Sequence, residues 1–289
     1  MTSRDGVRIV YYEGGKPDGP PIVLSNGLGG NIEAWNDLVL FFSERYRIVS
    51  WDYRGLYQSG PSDAMGGYAV HRHVEDLEDL VAHLELKKPL LVGWSMGCQV
   101  NFEYCRNHAD EIAGVVAING TTGRPFHTLV GRKTIDDVIE QVLPPLLGIA
   151  QRHWEKVAFV GPAVAESSLS LRALQAIGVI GSTANLEIFQ RLARGFVSLD
   201  FGIYTQILEE LGAHDATDVA MSLERPLLLI AGEKDPLTPA GAFQTLAEHL
   251  EHAELTIIPG ATHYSPIEFP ELVNLRIEKF IREQVPHHR

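Results

Sequence analysis

One stretch, Pro89-Leu90-Leu91-Val92-Gly93-Trp94-Ser95-Met96-Gly97-Cys98-Gln99-Val100-Asn101-Phe102, restricts what this chain can fold into more than any other. Its first half is a short, unpunctuated apolar run, the pattern of a buried strand. It then passes through Gly93-Trp94-Ser95-Met96-Gly97 into a segment readable as helix. A serine between two glycines at a strand-to-helix turn is held on a tight, strained bend, and the glycines leave room where a β-carbon would clash. The bend lifts the hydroxyl above the sheet edge. It also aims the amino terminus of the next helix at the reacting atom, where N–H groups stabilise negative charge. Glycine makes up 27 of the 289 residues, so the five-residue pattern does not decide the matter alone. The strand before it, the helix after it and the partners downstream do.

Around this stretch, apolar runs bounded by turn residues predict strands at residues 7–12 (closed by Gly14-Gly15), 21–25, 47–51, 114–120, 226–232 and 255–259. Helical spacing marks residues 32–46, then Val70, Val74, Leu77, Val81 and Leu84. Between about 121 and 225 the rhythm changes. Val138, Ile139, Val142 and Leu146 recur at helical spacing, as do Leu186, Phe189 and Leu192, and then Ile203, Ile207, Leu208 and Leu211. A mostly helical insertion is expected there, with Trp154, Phe159, Phe189, Phe196 and Phe201 mostly in its own core. A closing helix is expected from Pro270, packed on the sheet through Leu272, Leu275, Ile277 and Ile281, with a frayed tail after it. Strands alternating with helices predict a mostly parallel, doubly wound α/β sheet whose ligands bind at the carboxyl ends of the strands.

A serine hydroxyl becomes a nucleophile when a base within hydrogen-bond reach takes its proton and a buried acid orients that base. Of the twelve histidines, His263 alone follows a late strand, in Pro259-Gly260-Ala261-Thr262-His263. Asp235, in Gly232-Glu233-Lys234-Asp235-Pro236, is the expected acid, with Glu233 as the alternative. The preceding strand ends in Asn119-Gly120-Thr121-Thr122, which contains no carboxylate.

The order Ser95, Asp235, His263 resembles the α/β-hydrolase fold superfamily, in its serine esterase-like form with a helical cap. Asn26-Gly27, Asp52-Tyr53-Arg54-Gly55, Gly93 to Gly97, Gly232 to Asp235 and Gly260 to His263 are counterparts of its five motifs, in order and across nearly the whole chain. The resemblance implies a hydrolase core over 1–120 and 226–289, and a cap over 121–225 inserted after strand 6. It implies Ser95, Asp235 and His263 as catalytic residues, with the backbone N–H groups of Leu28 and Met96 as oxyanion hole, and hydrolysis of a small carboxylic ester through an acyl-enzyme. Lactonase, thioesterase, carbon–carbon bond hydrolase, cofactor-free haloperoxidase, acyltransferase and slow-turnover receptor are its alternatives. The elbow also resembles that of carrier-protein methyl ester esterases. Three departures stand out. Asn26 replaces the commoner histidine, Cys98 replaces a second glycine, and Leu56-Tyr57-Gln58-Ser59 replaces the usual Gly-x-Ser. Asp52 and Arg54 are expected to be structural.

The remaining features exclude other classes. A net charge of −13 argues against nucleic acid. No lysine and serine complete a phosphate loop at 27–30, no dinucleotide fingerprint follows a strand, and no metal-ligand spacing occurs, so neither cofactor nor metal is expected. No apolar run reaches membrane length and no signal segment opens the sequence, so a cytoplasmic protein is expected. Cys98 and Cys105, seven apart on one helix, should be free thiols. Oligomeric state leaves no mark in the sequence.

Overall fold

A computed structural model of the protein describes residues 1–124 and 180–285, together with Ser167, Arg172, Gln175 and His288. The expected helix through Val138, Ile139, Val142 and Leu146 lies outside the described residues, as do Trp154, Phe159, Pro286, His287 and Arg289.

Among the described residues, seven strands form one sheet: β1 (Tyr11–Gly15), β2 (Pro21–Ser25), β3 (Arg47–Trp51), β4 (Leu90–Trp94), β5 (Gly114–Ile118), β6 (Leu227–Gly232) and β7 (Ala253–Ile258). Their order is β1-β3-β2-β4-β5-β6-β7. Among these seven strands only β1 runs antiparallel to its neighbour, and the other pairings are parallel. The central strands read as unbroken apolar runs because both faces are covered. Alternate residues point to opposite faces, and two cores follow. Val23, Leu91, Val115, Ala117, Leu227 and Leu229 pack on one side; Ile22, Leu24, Leu90, Val92, Val116, Ile118, Leu228 and Ile230 pack on the other. Burying one such side chain contributes about 1.5–3 kcal/mol.

On the first face lie α2 (Val70–His83), through Leu77 and Leu80, and α3 (Met96–His108), through Val100 and Phe102. The second face carries a 3₁₀ turn (Ile32–Trp35), α1 (Asn36–Phe42) and, at the far end of the chain, a fifteen-residue helix, Pro270–Gln284. Between β5 and β6 the described residues form α4 (Leu186–Val197), α5 (Phe201–Ala213) and α6 (Thr217–Met221). Asn185 and Asp200 cap the first two, each side chain accepting from two backbone N–H groups. The flanks of this segment are zipped together by Arg124 N–H to His214 O at 2.8 Å and Ala216 N–H to Thr122 O at 2.9 Å. After β6 come α7 (Gly241–His249) and, beyond β7, the one-turn α8 (Ser265–Glu268) and α9 (Pro270–Gln284). Among the described residues, no helix is long and apolar enough to cross a membrane.

Four expectations need correction. The helical segment follows β5, not strand 6, because the first residues add only a single bridge, Thr2 with Arg8, ahead of β1. The opening strand is Tyr11–Gly15 rather than 7–12. It runs through the glycines, and a β-carbon at Gly15 would stand 2.2 Å from the Tyr46 carbonyl oxygen. On α9 the buried face is Val273, Ile277, Phe280 and Ile281, while Leu272 and Leu275 fall outside that arc and are exposed. In the tail, His288 is not frayed: Tyr46 donates its hydroxyl to the His288 carbonyl at 3.1 Å.

Candidate active site

Residues from the loops after β2, β5 and β7 meet the turn after β4, with Gly27, Gly120 and His263 each standing against Ser95. Ser95 there has φ 55° and ψ −116°, a backbone state that a side-chain-bearing residue rarely adopts. Both neighbouring glycines are sterically required. A β-carbon on Gly93 would lie 2.6 Å from the backbone of Gly97, and one on Gly97 would lie 2.1 Å from the Ser25 carbonyl oxygen. The Ser95 N–H donates to Ile118 O at 3.0 Å, anchoring the turn to β5.

The loop after β7 carries His263, with Nε2 at 2.9 Å from Ser95 Oγ. Its Nδ1 stands 2.9 Å from Asp235 Oδ2, on the loop after β6. An ionised carboxylate only accepts, so Nδ1 carries the proton and Nε2 is left to accept from the serine hydroxyl. Asp235 and His263 are both buried. Burial works against the charge of Asp235. The facing imidazole, the Thr238 hydroxyl at 2.6 Å and the Thr238 N–H at 2.9 Å outweigh it and hold the carboxyl below its ordinary range. Hydroxyl, imidazole and carboxylate in this sequence form a path that can take the proton from Oγ and hold the resulting cation.

Met96 follows the serine in the chain, and Leu28 follows Gly27 in the turn that meets the elbow. Met96 begins α3, whose first N–H groups have no partner within the helix. Leu28 lies in the turn 27–30, closed by Gly30 N–H to Gly27 O at 2.9 Å. That turn presses on the elbow, since a β-carbon on Gly27 would come within 3.2 Å of Ser95 Cβ. Asn26 spends both ends of its amide on holding the turn. Its Nδ2 donates to Trp51 O at 2.6 Å, and its Oδ1 accepts from Trp35 Nε1 at 2.7 Å.

The other singled-out residues lie nearby without joining this arrangement. Glu233 is exposed and accepts from Gly260 N–H at 2.8 Å, away from His263. Arg54 is fully buried and forked onto Asp76, with Oδ1 and Oδ2 at 2.7 and 2.8 Å, and also reaches Asp5 at 2.8 Å. Asp52 accepts from Tyr12 and, through its carbonyl, from Ser59. Cys98 and Cys105 are free and buried, and Cys98 fills the space beneath Gly120. Trp94 is buried, and its Nε1 donates to the His263 carbonyl at 2.8 Å. Phe189 and Phe201 are buried, whereas half-buried Phe196 reaches Gly29.

Three residues missed in the sequence support the assembly. Asn119 Nδ2 donates to Asp235 Oδ2 at 2.8 Å and to Thr262 O at 3.1 Å. Thr238 caps the Asp235 turn, with its hydroxyl 3.2 Å from His263 Nδ1. Buried Glu268 accepts from Thr262 N–H at 2.7 Å and from Gly181 N–H at 2.7 Å, linking the histidine loop to the segment before α4. An asparagine before a glycine at a strand end was the only sequence signal for Asn119. Its side chain is neutral and is invisible to a search for an acid.

Comparison with known proteins places these features in context. A family model described as the alpha/beta hydrolase fold matches residues 20–270. The 3-oxoadipate enol-lactonase 2 of Acinetobacter baylyi is 24% identical over 282 residues, covering 98% of this chain and 96% of its own length. The esterase RhEst1 from Rhodococcus sp. ECU1013 superposes with a TM-score of 0.74 at 22% identity, covering 98% of each chain. The enol-lactonase from Burkholderia xenovorans LB400 superposes with a TM-score of 0.72 at 22% identity, covering 95% of this chain and 96% of that one.

Proposed function

The chain belongs to the α/β-hydrolase fold family, and from that premise we propose that it is a serine hydrolase cleaving small carboxylic esters through an acyl-enzyme. The observation that carries this reading is the unbroken pair of 2.9 Å contacts from Ser95 Oγ to His263 Nε2 and from His263 Nδ1 to Asp235 Oδ2.

In the proposed cycle Ser95 Oγ attacks the ester carbonyl carbon as its proton passes to Nε2 of His263. The new imidazolium is stabilised by Asp235, which stays ionised. The carbonyl oxygen, now negative, is held by the N–H groups of Leu28 and Met96, worth about 3 kcal/mol each where such donors have been removed in other enzymes. Collapse expels the alcohol, which takes the proton from Nε2. Water then attacks the acyl-enzyme by the same route, giving the carboxylic acid and free Ser95. No metal or cofactor has a part in these steps.

Residues 121–225 are read as a cap on a core of 1–120 and 226–289, with α4 and α5 roofing the loop at 27–30. The two buried thiols support a cytoplasmic setting. A second reading, with a lactone as the ester, is favoured by the enol-lactonases among the similar proteins. The test is a panel of p-nitrophenyl esters, thioesters and lactones at one enzyme concentration. Hydrolysis of at least one class, lost in Ser95→Ala, is expected. Binding of the panel without turnover would replace this reading with that of a receptor.

A further inference from the structure

The loop after β3, where Leu56-Tyr57-Gln58-Ser59 departs from the related pattern, takes no part in the steps above. Its backbone is tightly fixed, by Gly55 N–H to Gly60 O at 2.8 Å, Leu56 N–H to Tyr53 O at 2.9 Å and Gly60 N–H to Arg8 O at 2.7 Å. At its apex Tyr57 is held at φ 51°, the left-handed region that a bulky side chain avoids. Such a strained residue persists where its surroundings over-determine it. The surroundings here send the Tyr57 ring across to the turn at 27–30, where its hydroxyl donates to the carbonyl oxygen of Gly29.

We propose that Tyr57 is a positioning residue for the oxyanion hole: it clamps the Gly29 carbonyl so that the turn presents the Leu28 N–H to the reacting carbonyl. This inference rests on the reading of Leu28 and Met96 as oxyanion donors. The turn needs an external clamp because of its own composition. Gly27, Gly29 and Gly30 surround Leu28, and glycine restricts φ and ψ least of all residues. Gly29 sits at φ 76°, in the third place of a turn closed by Gly30 N–H to Gly27 O, as a type II turn requires. Two hydroxyls from the same β3 loop grip its two sides. Tyr53 donates to Asn26 O at 2.7 Å on one side, and Tyr57 donates to Gly29 O on the other. Leu28 lies between the two grips.

The Tyr57 ring is itself backed by α4. A β-carbon on Gly195 would lie 2.9 Å from Tyr57 Cε1, and one on Gly29 would lie 2.8 Å from the Phe196 ring. Burial, with Asp52, Tyr204 and Tyr12 nearby, holds the Tyr57 phenol well above its ordinary range, so it remains a donor at every working pH.

The experiment compares Tyr57→Phe, Gly195→Ala and Ser95→Ala with the parent protein, using a hydrolysed p-nitrophenyl ester and a trifluoromethyl ketone. The ketone's hemiketal oxygen takes the oxyanion position. Tyr57→Phe is expected to lower kcat about tenfold, short of the ~10²–10³-fold loss when a donor is removed outright. KM should stay close to that of the parent, and the inhibition constant of the ketone should rise by the factor lost in kcat/KM. Gly195→Ala, which crowds the ring without touching the hydroxyl, should give the same pattern more mildly, and it carries the test should Tyr57→Phe not fold. Parent-like kcat and ketone affinity in the folded variants would overturn the inference. So would a rise in KM with ketone affinity unchanged, which marks a substrate contact instead. Turnover persisting in Ser95→Ala would overturn the nucleophile reading itself, whatever Tyr57 does.

Discussion

Asn119 and Asp235 come from different strand ends, yet the amide nitrogen of one stands 2.8 Å from the carboxylate oxygen of the other that also faces His263. The same amide reaches Thr262 O at 3.1 Å, so one neutral side chain holds both Asp235 and the loop bearing His263. Replacing Asn119 with alanine removes a hydrogen bond to a charged group, worth about 1.5 kcal/mol or more. A fall of about tenfold in kcat/KM for an ester is expected. Steady-state kinetics on the folded variant checks this, and parent-like kinetics would leave Asn119 with no share in aligning the pair.

Gly97 tolerates no side chain, because its α-carbon faces the Ser25 carbonyl oxygen, 2.1 Å from where a β-carbon would sit. Gly97→Ala is expected to cost more than about 3 kcal/mol, as overpacking against rigid backbone does at the upper end. Urea denaturation, or the yield of soluble protein, reads this directly.

Arg54 contributes to stability rather than to chemistry. Its guanidinium and the Asp76 carboxylate are both inaccessible to solvent, so Arg54→Met strands a buried charge. A loss of about 3–5 kcal/mol is expected. Arg54→Lys should not restore it, because an ammonium does not reproduce the two-pronged contact. Activity per folded molecule should stay near that of the parent in both variants.

His73 makes stability depend on pH. It is fully buried on α2 against the Tyr53 ring, 5.0 Å between centroids. Burial above all, then the charge of Arg54 and of His71, pushes its pKa down to about 3. The unfolded chain takes up this proton near pH 6.5 and the folded chain does not, so acidification favours unfolding between those two values. The effect is absent above pH 6.5 and grows at about 1.4 kcal/mol per pH unit below it. Comparing chemical denaturation at pH 7 and pH 5, His73→Phe should shrink the stability difference by about 2 kcal/mol.

Much of this was legible in the sequence, for physical reasons that differ by element. The central strands are covered on both faces, so 90–94 and 227–232 declare themselves as apolar runs. The elbow was legible because steric exclusion leaves glycine alone at 93 and 97. The edge strand Tyr11–Gly15 was not, because an exposed edge does not demand apolar side chains. On α9, Leu272 and Leu275 carry the same hydropathy as core residues but face solvent, which composition cannot distinguish from burial. Asn119, Thr238 and Tyr57 act through neutral donors whose value arises only from where the fold delivers them.

The most direct measurement is the site of labelling by a fluorophosphonate, read by peptide mass spectrometry. The arrangement of Ser95, His263 and Asp235 predicts a single adduct on Ser95, none in Ser95→Ala, and slowed labelling in His263→Ala. An adduct on another residue, or equal labelling of Ser95→Ala, would contradict it.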